Sequence, residues 1–161
     1  MKEIEQLTAF IKDMYGNKDF IPLHEPRFIG NEKQYVLDTI DSTFVSSVGA
    51  YVDKFEQMVR DYTGAAYAIA TTNGTAALHM SLILAGVKQN ELVITQPLSF
   101  IATCNAISYL GAEPLFIDID KHNLGLSAQK LEEFLSLETE QRNGQCVHKV
   151  SGKRIAACVP M

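Results

Sequence analysis

The first part of the chain shows helical periodicity interrupted by short breaks. Three segments repeat apolar residues at helical spacing: Ile4, Leu7, Ile11 and Met14, then Val36, Leu37 and Ile40, then Val52, Phe55, Val59 and Tyr62. Gly16 and Gly64 end the first and third segments, and residues 42–50 break the second. Asn31 and Gln34 have the spacing of a capping box. The pattern predicts three amphipathic helices, and the apolar stripe of the third is expected to face a core.

From residue 65 onward, short apolar runs alternate with segments of helical length. The runs are "AYAIA" at 66–70, "LVIT" at 92–95, "PLFIDI" at 114–119 and "IAACVP" at 155–160. The helical segments are 74–86, 99–110 and 127–136. Continuously apolar runs are typical of strands buried on both faces of a parallel sheet. The alternation therefore predicts an α/β fold with a largely parallel sheet covered by helices.

Local signals refine three of these elements. Segment 74–86 is apolar nearly all round, which predicts a buried helix that ends at Gly86. Ser127 has the position of an N-cap for the helix that follows it. The polar stretch 138–154 reads as a loop or an exposed hairpin before the last strand.

Composition and charge narrow the classes of protein. With 161 residues, 47% of them hydrophobic, the chain has enough apolar material for one ordinary domain and is not disordered. The net charge of −5, without runs of Lys or Arg, argues against a nucleic-acid partner. No apolar stretch is long enough to span a membrane and the first ten residues lack a signal-peptide core, so we expect a cytoplasmic protein. Three widely spaced cysteines favour neither a disulfide framework nor a metal site.

The stretch "TTNGTAALHM", residues 71–80, carries the clearest candidate chemistry. Its small residues leave backbone N–H groups accessible at the start of a helix, where the dipole favours an anion such as phosphate. The alternative is a tight turn with Asn73 as cap and Gly74 for backbone freedom. A dinucleotide fold would need Gly-x-Gly-x-x-Gly here, and a nucleoside-triphosphatase loop would need Gly-Lys-Ser/Thr, and neither motif is present.

Five segments in one order and spacing carry a resemblance to a known family. They are "GNEKQYV", "VSSVGAYVDKFE", "TTNGTAALHMSLILAGV", "PLSFIATCNAISYLGAEPLFIDID" and "RIAACVPM". The chain, from about Pro22 to Met161, resembles the DegT/DnrJ/StrS sugar aminotransferases. Its leading helix and the insertion "TEQRNGQC" are similar to the LegC-like branch. The resemblance implies the N-terminal part of a fold type I large domain that uses pyridoxal 5′-phosphate.

The resemblance also implies an activity and site residues. Such enzymes transfer an amino group from glutamate to a nucleotide-linked 4-keto-6-deoxy sugar and form homodimers. The matching positions place Asn73, Gly74 and Thr75 under the cofactor phosphate and Phe100 on its ring. Three further residues match positions near the substrate or cofactor, although each also suits a purely structural role: Ser47, Gly49 and Asn105. His79 has no partner at catalytic spacing, which favours a structural role.

Two groups that transamination needs have no counterpart in the sequence. In the family, the lysine that binds the cofactor and the acid that holds its pyridine nitrogen protonated lie beyond the segment "AACVPM". We therefore expect a leading helix and linker at 1–30, an incomplete cofactor-binding domain at 31–161, and an inactive fragment. The alternatives are a non-catalytic module that binds a phosphate ligand or a partner subunit, and a pyridoxal phosphate-dependent sugar dehydratase of the same family.

Overall fold

A computed structural model describes residues 2–161, and the chain forms two compact units, one ending at Tyr62 and one running from Thr63 to Met161. The first unit contains the three predicted helices, α1 (Lys2–Met14), α2 (Glu32–Asp41) and α3 (Ala50–Thr63). Gly64 follows α3 with a φ of +72°, a conformation that glycine adopts without strain. The predicted domain division between residues 30 and 31 stays a prediction.

The apolar stripe of α3 is not buried, so the prediction that it faces a core is wrong. None of α1, α2 and α3 buries a residue, and on α3 Phe55 is 57% exposed. A stripe is buried only where another apolar surface covers it. Between α2 and α3, the Tyr35 and Tyr51 rings meet with centroids 5.1 Å apart, and Lys54 Nζ lies 5.7 Å from the Tyr35 centroid.

The predicted capping box at the start of α2 is also wrong. Asn31 occupies the N-cap position, but its side chain accepts no capping hydrogen bond. Its φ of −92° and ψ of 14° differ from the extended backbone that lets an N-cap side chain reach the first turn. Gln34 instead donates to Asp38 Oδ1 at 2.6 Å, and Glu32 Oε2 accepts from the Gly30 N–H at 2.9 Å.

The second unit contains two sheets and three helices. Its elements are α4 (Gly74–Leu84), β1 (Leu92–Thr95), α5 (Ile101–Ser108), β2 (Glu113–Phe116), α6 (Ala128–Glu138), β3 (Thr139–Arg142), β4 (Gln145–His148) and β5 (Ile155–Cys158). Strands β2, β1 and β5 form a parallel sheet in that order, which confirms the predicted α/β class. Strands β3 and β4 form an antiparallel hairpin within the polar stretch 138–154. Asn143 and Gly144, both with positive φ, make its two-residue turn.

The core of the second unit lies around the central strand β1, which is buried along its whole length. Chain connections leave β1 towards β2 on one side and return to β5 on the other. Because parallel crossovers are right-handed, these opposite directions place α5 and α6 on opposite faces of the sheet. The main cluster of buried apolar residues comprises Leu82, Val87, Val93, Ala106, Ile107 and Ala112. Ser127 caps α6 as predicted, accepting from the Lys130 N–H at 3.2 Å.

Two predictions for the second unit are wrong. Residues 66–70 form no strand, and Tyr67 and Ile69 are each 83% exposed. A strand requires a hydrogen-bonded neighbour, and the alternation of this run turns only alanines inward, so an apolar composition alone did not define a strand. Helix α4 is not buried all round either: it buries Leu82, whereas Leu84 is 84% exposed, since only one side of the helix is covered by α5 and the sheet.

Candidate functional site

The carboxyl ends of the three parallel strands meet at one edge of the sheet. At this edge β1 lies between β2 and β5, and the chain leaves β1 towards β2 but leaves β2 in the opposite direction, towards β5. Such a reversal opens a crevice, and ligands of open α/β sheets bind there. Helix α5 begins just after β1, and α4 runs back from this edge into β1 through a short turn, so both helices have their N-termini here. The carboxyl edge of the parallel sheet is therefore the candidate ligand site.

Asn73 builds the start of α4. It has an extended backbone (φ −167°, ψ 170°), and its Oδ1 accepts from the Ala76 N–H at 2.9 Å. Its carbonyl oxygen accepts from Thr71 Oγ1 at 3.0 Å and from the Ala77 N–H at 3.1 Å. These bonds hold the turn and satisfy the third amide of the helix. The structure thus assigns Asn73 the capping role that was one of its two predicted readings.

The first two amides of α4 remain available. Within residues 2–161, no acceptor is recorded for the N–H groups of Gly74 and Thr75, and helix geometry offers them none. A Cβ placed on Gly74 would meet no atom within 4 Å, so the approach to these amides is open. Two free amides at the positive end of a helix dipole can bind an oxyanion. The Thr75 hydroxyl adds a third donor on the same turn.

A cleft of about 360 Å³ lies beside this turn, lined by Asn73, Thr75, Ala76, His79 and Tyr109. The His79 and Tyr109 rings meet edge to face, with centroids 5.6 Å apart. This contact gives His79 a packing partner from α5. Tyr109 could not be identified from the sequence, because its position depends on how α5 packs on α4. The spacing of Thr75 and His79, four residues apart on one helix face, was the one signal available.

Phe100 projects from the second helix N-terminus at this edge. It is the N-cap residue of α5, with an extended backbone (φ −69°, ψ 139°), and its side chain is 73% exposed. An aromatic ring cannot cap, and the neighbouring Ser99 Oγ instead donates to Thr103 Oγ1 at 3.1 Å. The exposed face of the Phe100 ring is thus free to stack on a planar ligand.

Two buried polar residues end β1, and the sequence analysis did not identify either. Thr95 Oγ1 donates to the Val159 carbonyl at 2.9 Å, which joins the ends of β1 and β5. Gln96, 1% exposed, donates through Nε2 to the carbonyls of Leu98 and Leu124 at 2.9 and 3.0 Å. Its Oε1 accepts from the Met161 N–H at 3.1 Å. The signal for them was the pair of polar residues at the end of an apolar run, Thr95 as the last residue of β1 and Gln96 directly after it.

The three predicted substrate residues lie in different places. In the first unit, Ser47 is exposed in the loop between α2 and α3. Gly49, in the same loop, accepts from the Val52 and Asp53 N–H groups at the start of α3. In the second unit, Asn105 is half-buried on α5, and its carbonyl accepts from the Tyr109 N–H. A substrate role for these residues stays a prediction.

Other reactive side chains of the second unit are engaged elsewhere or stand alone. The Nζ atoms of Lys130, Lys149 and Lys153 donate to Glu133, the Leu137 carbonyl and Glu113 respectively. Burial raises the pKa of the Cys158 thiol, which lowers its reactivity. Over residues 2–161, no cluster of His, Cys, Asp or Glu could hold a metal ion, and no helix is long and apolar enough to cross a membrane.

Comparison with known proteins gives consistent matches. Residues 26–147 match the DegT/DnrJ/EryC1/StrS aminotransferase family. GDP-perosamine synthase from Caulobacter vibrioides is 41% identical over 120 residues, covering 74% of this chain and 32% of the relative. The synthase of the same name from Escherichia coli O157:H7 is 38% identical over 129 residues, covering 80% and 35%. This chain therefore spans about a third of the length of the curated relatives it matches.

Solved structures support the same fold. A DegT DnrJ EryC1 StrS aminotransferase from Brucella abortus superposes with a TM-score of 0.67 at 25% identity, covering 81% of this chain and 32% of that chain. A GDP-4-keto-6-deoxymannose-3-dehydratase with a trapped PLP-glutamate geminal diamine superposes with a TM-score of 0.61, covering 71% and 31%. At 22% identity, that second likeness is one of fold alone.

Proposed function

This chain belongs to the DegT/DnrJ/EryC1/StrS aminotransferase family, and we propose on that premise that its second unit supplies the phosphate- and ring-binding part of a pyridoxal phosphate site. Pyridoxal phosphate is the cofactor of this family. The observation that carries the proposal is the start of α4, where two amides without acceptors and the Thr75 hydroxyl face an open approach.

The donor set fits a phosphate dianion. The N–H groups of Gly74 and Thr75 and the Thr75 hydroxyl would each donate one charge-assisted hydrogen bond, while the helix dipole adds favourable charge. Asn73 does not need to touch the phosphate, since its Oδ1 already accepts from the Ala76 N–H. Its part is to fix the backbone that presents the two amides. This differs in detail from the predicted set, in which Asn73 was itself a cofactor residue.

Phe100 would hold the plane of the cofactor ring. Its exposed face lies at the same edge of the sheet as the start of α4, and a stacked aromatic ring would exclude water from one side of the pyridine. If bound, pyridoxal phosphate would supply an aldehyde carbon able to carry the amino group and an electron-withdrawing ring that acts as an electron sink. The roles of this chain's residues are to bind and orient that ring.

The activity we propose for the whole enzyme is transfer of an amino group from glutamate to a nucleotide-linked 4-keto-6-deoxy sugar, carried out in a homodimer. Support comes from relatives described as GDP-perosamine synthases, at 41% and 38% identity. Ser47 and Gly49 are the proposed contacts near the sugar nucleotide, and Asn105 is proposed to lie in the neighbourhood of the cofactor. A dehydratase rests on likeness of fold alone, so the aminotransferase is the better supported activity.

None of the described residues that line the cleft beside the start of α4 is a lysine. Lys130, Lys149 and Lys153 each donate from Nζ to groups on α6 or β2. We therefore propose that residues 1–161 bind pyridoxal phosphate without a covalent bond and do not transaminate alone. Borohydride treatment followed by mass spectrometry should find no stoichiometric adduct on one lysine, and such an adduct would contradict this part of the proposal.

The site itself is tested by binding, which needs no turnover. Equilibrium dialysis of the chain should retain pyridoxal phosphate more tightly than phosphate-free pyridoxal, because only the former uses the start of α4. Thr75→Val keeps the branched shape and removes the hydroxyl donor, so it should weaken pyridoxal phosphate binding by about 1.5–3 kcal/mol. Phe100→Ala should weaken both ligands, by about 1 kcal/mol.

The matched control for the first variant is Thr39→Val. Thr39 also lies on a helix and donates from Oγ1 to a carbonyl, that of Tyr35, but it belongs to the first unit. Loss of the Thr39 hydroxyl should leave the affinities for pyridoxal phosphate and for pyridoxal unchanged. Equal affinity for the two ligands, or an effect of Thr39→Val as large as that of Thr75→Val, would remove α4 from the site.

A further inference from the structure

We infer that Gln96 is a positioning residue that fixes the segment carrying Phe100 at the carboxyl edge of the sheet. The role of Gln96 in cofactor binding rests on the proposed function. The tie, meaning the side-chain hydrogen bonds from Gln96 to Leu98, Leu124 and Met161, does not. Gln96 directly follows β1, and its side-chain amide joins three separate stretches of chain through Leu98, Leu124 and Met161. No other residue of the described chain is recorded with side-chain bonds to all three stretches.

The side-chain amide of Gln96 makes three hydrogen bonds. Its nitrogen has two N–H groups, and they donate to the Leu98 carbonyl at 2.9 Å and the Leu124 carbonyl at 3.0 Å. Its oxygen accepts from the Met161 N–H at 3.1 Å. With the residue 1% exposed, water does not replace these partners. Loss of the amide therefore leaves three part-buried backbone groups without these partners, which constrains what can stand at this position.

Leu124 shows that the tie holds backbone in an uncommon conformation. Its φ is +62°, a region that a leucine rarely adopts. The same loop is closed by the Leu124 N–H donating to the Asp120 carbonyl at 2.9 Å. A strained residue persists only where its surroundings fix it, and the Gln96 Nε2 donor is one of the bonds that do so.

The other donor acts on the segment that bears the aromatic ring. Leu98 lies two residues before Phe100, and the short stretch between them is further held by the Ser99 N–H donating to the Pro97 carbonyl at 3.1 Å. Thr95, the last residue of β1 and the neighbour of Gln96, adds a hydrogen bond from its Oγ1 to the Val159 carbonyl. The Phe100 carbonyl accepts from the Thr103 N–H at 3.1 Å, but its side chain is 73% exposed, so packing does not fix the ring. The position of the ring therefore depends on the backbone that carries it, which Gln96 holds at Leu98.

Hydrogen exchange of the cofactor-free chain tests the tie by itself. Gln96→Met is close in shape but can neither donate nor accept, so exchange should accelerate by about tenfold or more at residues 97–101, at 122–126 and at the Met161 amide. Gln96→Glu keeps an acceptor oxygen and loses the amide donors. It should therefore release the first two stretches while the Met161 amide stays protected.

The control is Gln129→Met, an exposed position on α6. This variant should leave the exchange rates of all three stretches unchanged. Unchanged exchange at 97–101 and 122–126 in both Gln96 variants would overturn the inference. Loss of Met161 protection in Gln96→Glu as complete as in Gln96→Met would overturn it as well, because general unfolding would then explain both variants.

A second measurement connects the tie to the ligand. At saturating pyridoxal phosphate, the visible circular dichroism of the bound ring reports its orientation, which a loss of stability alone does not alter. Gln96→Met should reduce that signal by half or more relative to Gln129→Met, on the order of the loss expected when the stacking face moves. An unchanged signal would overturn the positioning role. Failure of the unsubstituted chain to bind would instead contradict the proposed function, and the exchange result would still decide the tie.

Discussion

The two units of this chain carry similar helical patterns and bury them very differently. In the first unit, α1, α2 and α3 bury no residue, and Ile40 on α2 is 56% exposed. In the second, Ile107 on α5 is 0% exposed because α5 packs against α4 and the sheet. Apolar periodicity defines which face of a helix can be buried. Whether that face is buried depends on a covering surface, here a central parallel strand.

The N-caps of α2 and α4 also differ between the two units. Asn31 and Asn73 stand at the N-cap positions of α2 and α4, but only Asn73 accepts a capping bond, from the Ala76 N–H at 2.9 Å. The extended backbone of Asn73 lets its side chain reach the first turn, whereas the backbone of Asn31 does not. The helix with the side-chain cap, α4, is the one whose first two amides are proposed to bind a ligand.

The largest expected difference between the two units is the loss of stability when an isoleucine side chain is truncated. Ile107→Ala should lower the free energy of unfolding by about 2–5 kcal/mol, because it removes a fully buried side chain and leaves a cavity. The matched change Ile40→Ala should cost less than about 1 kcal/mol, since the side chain is largely exposed. Urea unfolding followed by circular dichroism measures both. Equal costs would show that the first unit has a core equivalent to that of the second.

Removal of the caps should have a smaller effect. Asn73→Ala should destabilise the second unit by about 0.5–2 kcal/mol, because the Ala76 amide loses its acceptor. Asn31→Ala should change stability by no more than a few tenths of a kcal/mol, about the spread of surface substitutions. Thermal unfolding of the two variants gives the comparison. A larger loss for Asn31→Ala would contradict the cap assignment.

The smallest effect expected is electrostatic and lies in the first unit. Hydrogen bonds from Gln34 and then Tyr51 lower the pKa of Asp38 below its usual value. A lowered folded-state pKa contributes stability above the unfolded pKa, near pH 4, that is lost as the pH falls through the folded pKa. In a carboxyl NMR titration, Gln34→Met should raise the pKa of Asp38 more than Tyr51→Phe does. An Asp38 pKa that neither variant changes would contradict this assignment.

Elements that depend on local signals could be predicted from the sequence. Over the described residues 2–161, the six helices follow apolar spacing and Gly or Ser punctuation, and Ser127 has the cap geometry its position indicated. Continuous apolar runs identified β1, β2 and β5, and the resemblance of "TTNGTAALHM" and "PLSFIATCNA" selected the family that the comparisons confirm.

What the sequence did not indicate depends on distant partners. Residues 66–70 have the composition of a strand but no place in the sheet. Tyr109 enters the cleft beside Thr75 through packing of α5 on α4, and Gln96 matters through residues 28 and 65 positions away. Such contacts are properties of topology, which spacing within one segment does not specify.

The central claim, that the second unit holds the cofactor at the start of α4, is tested most directly by hydrogen exchange with and without pyridoxal phosphate. We expect the ligand to slow exchange about tenfold or more at residues 73–77, where the Gly74 and Thr75 amides would donate to the phosphate, and less strongly at 97–101 beside Phe100. Residues 2–62 should exchange at the same rates in both conditions. Ligand-dependent protection confined to residues 2–62, or none at 73–77 at saturation, would contradict the claim.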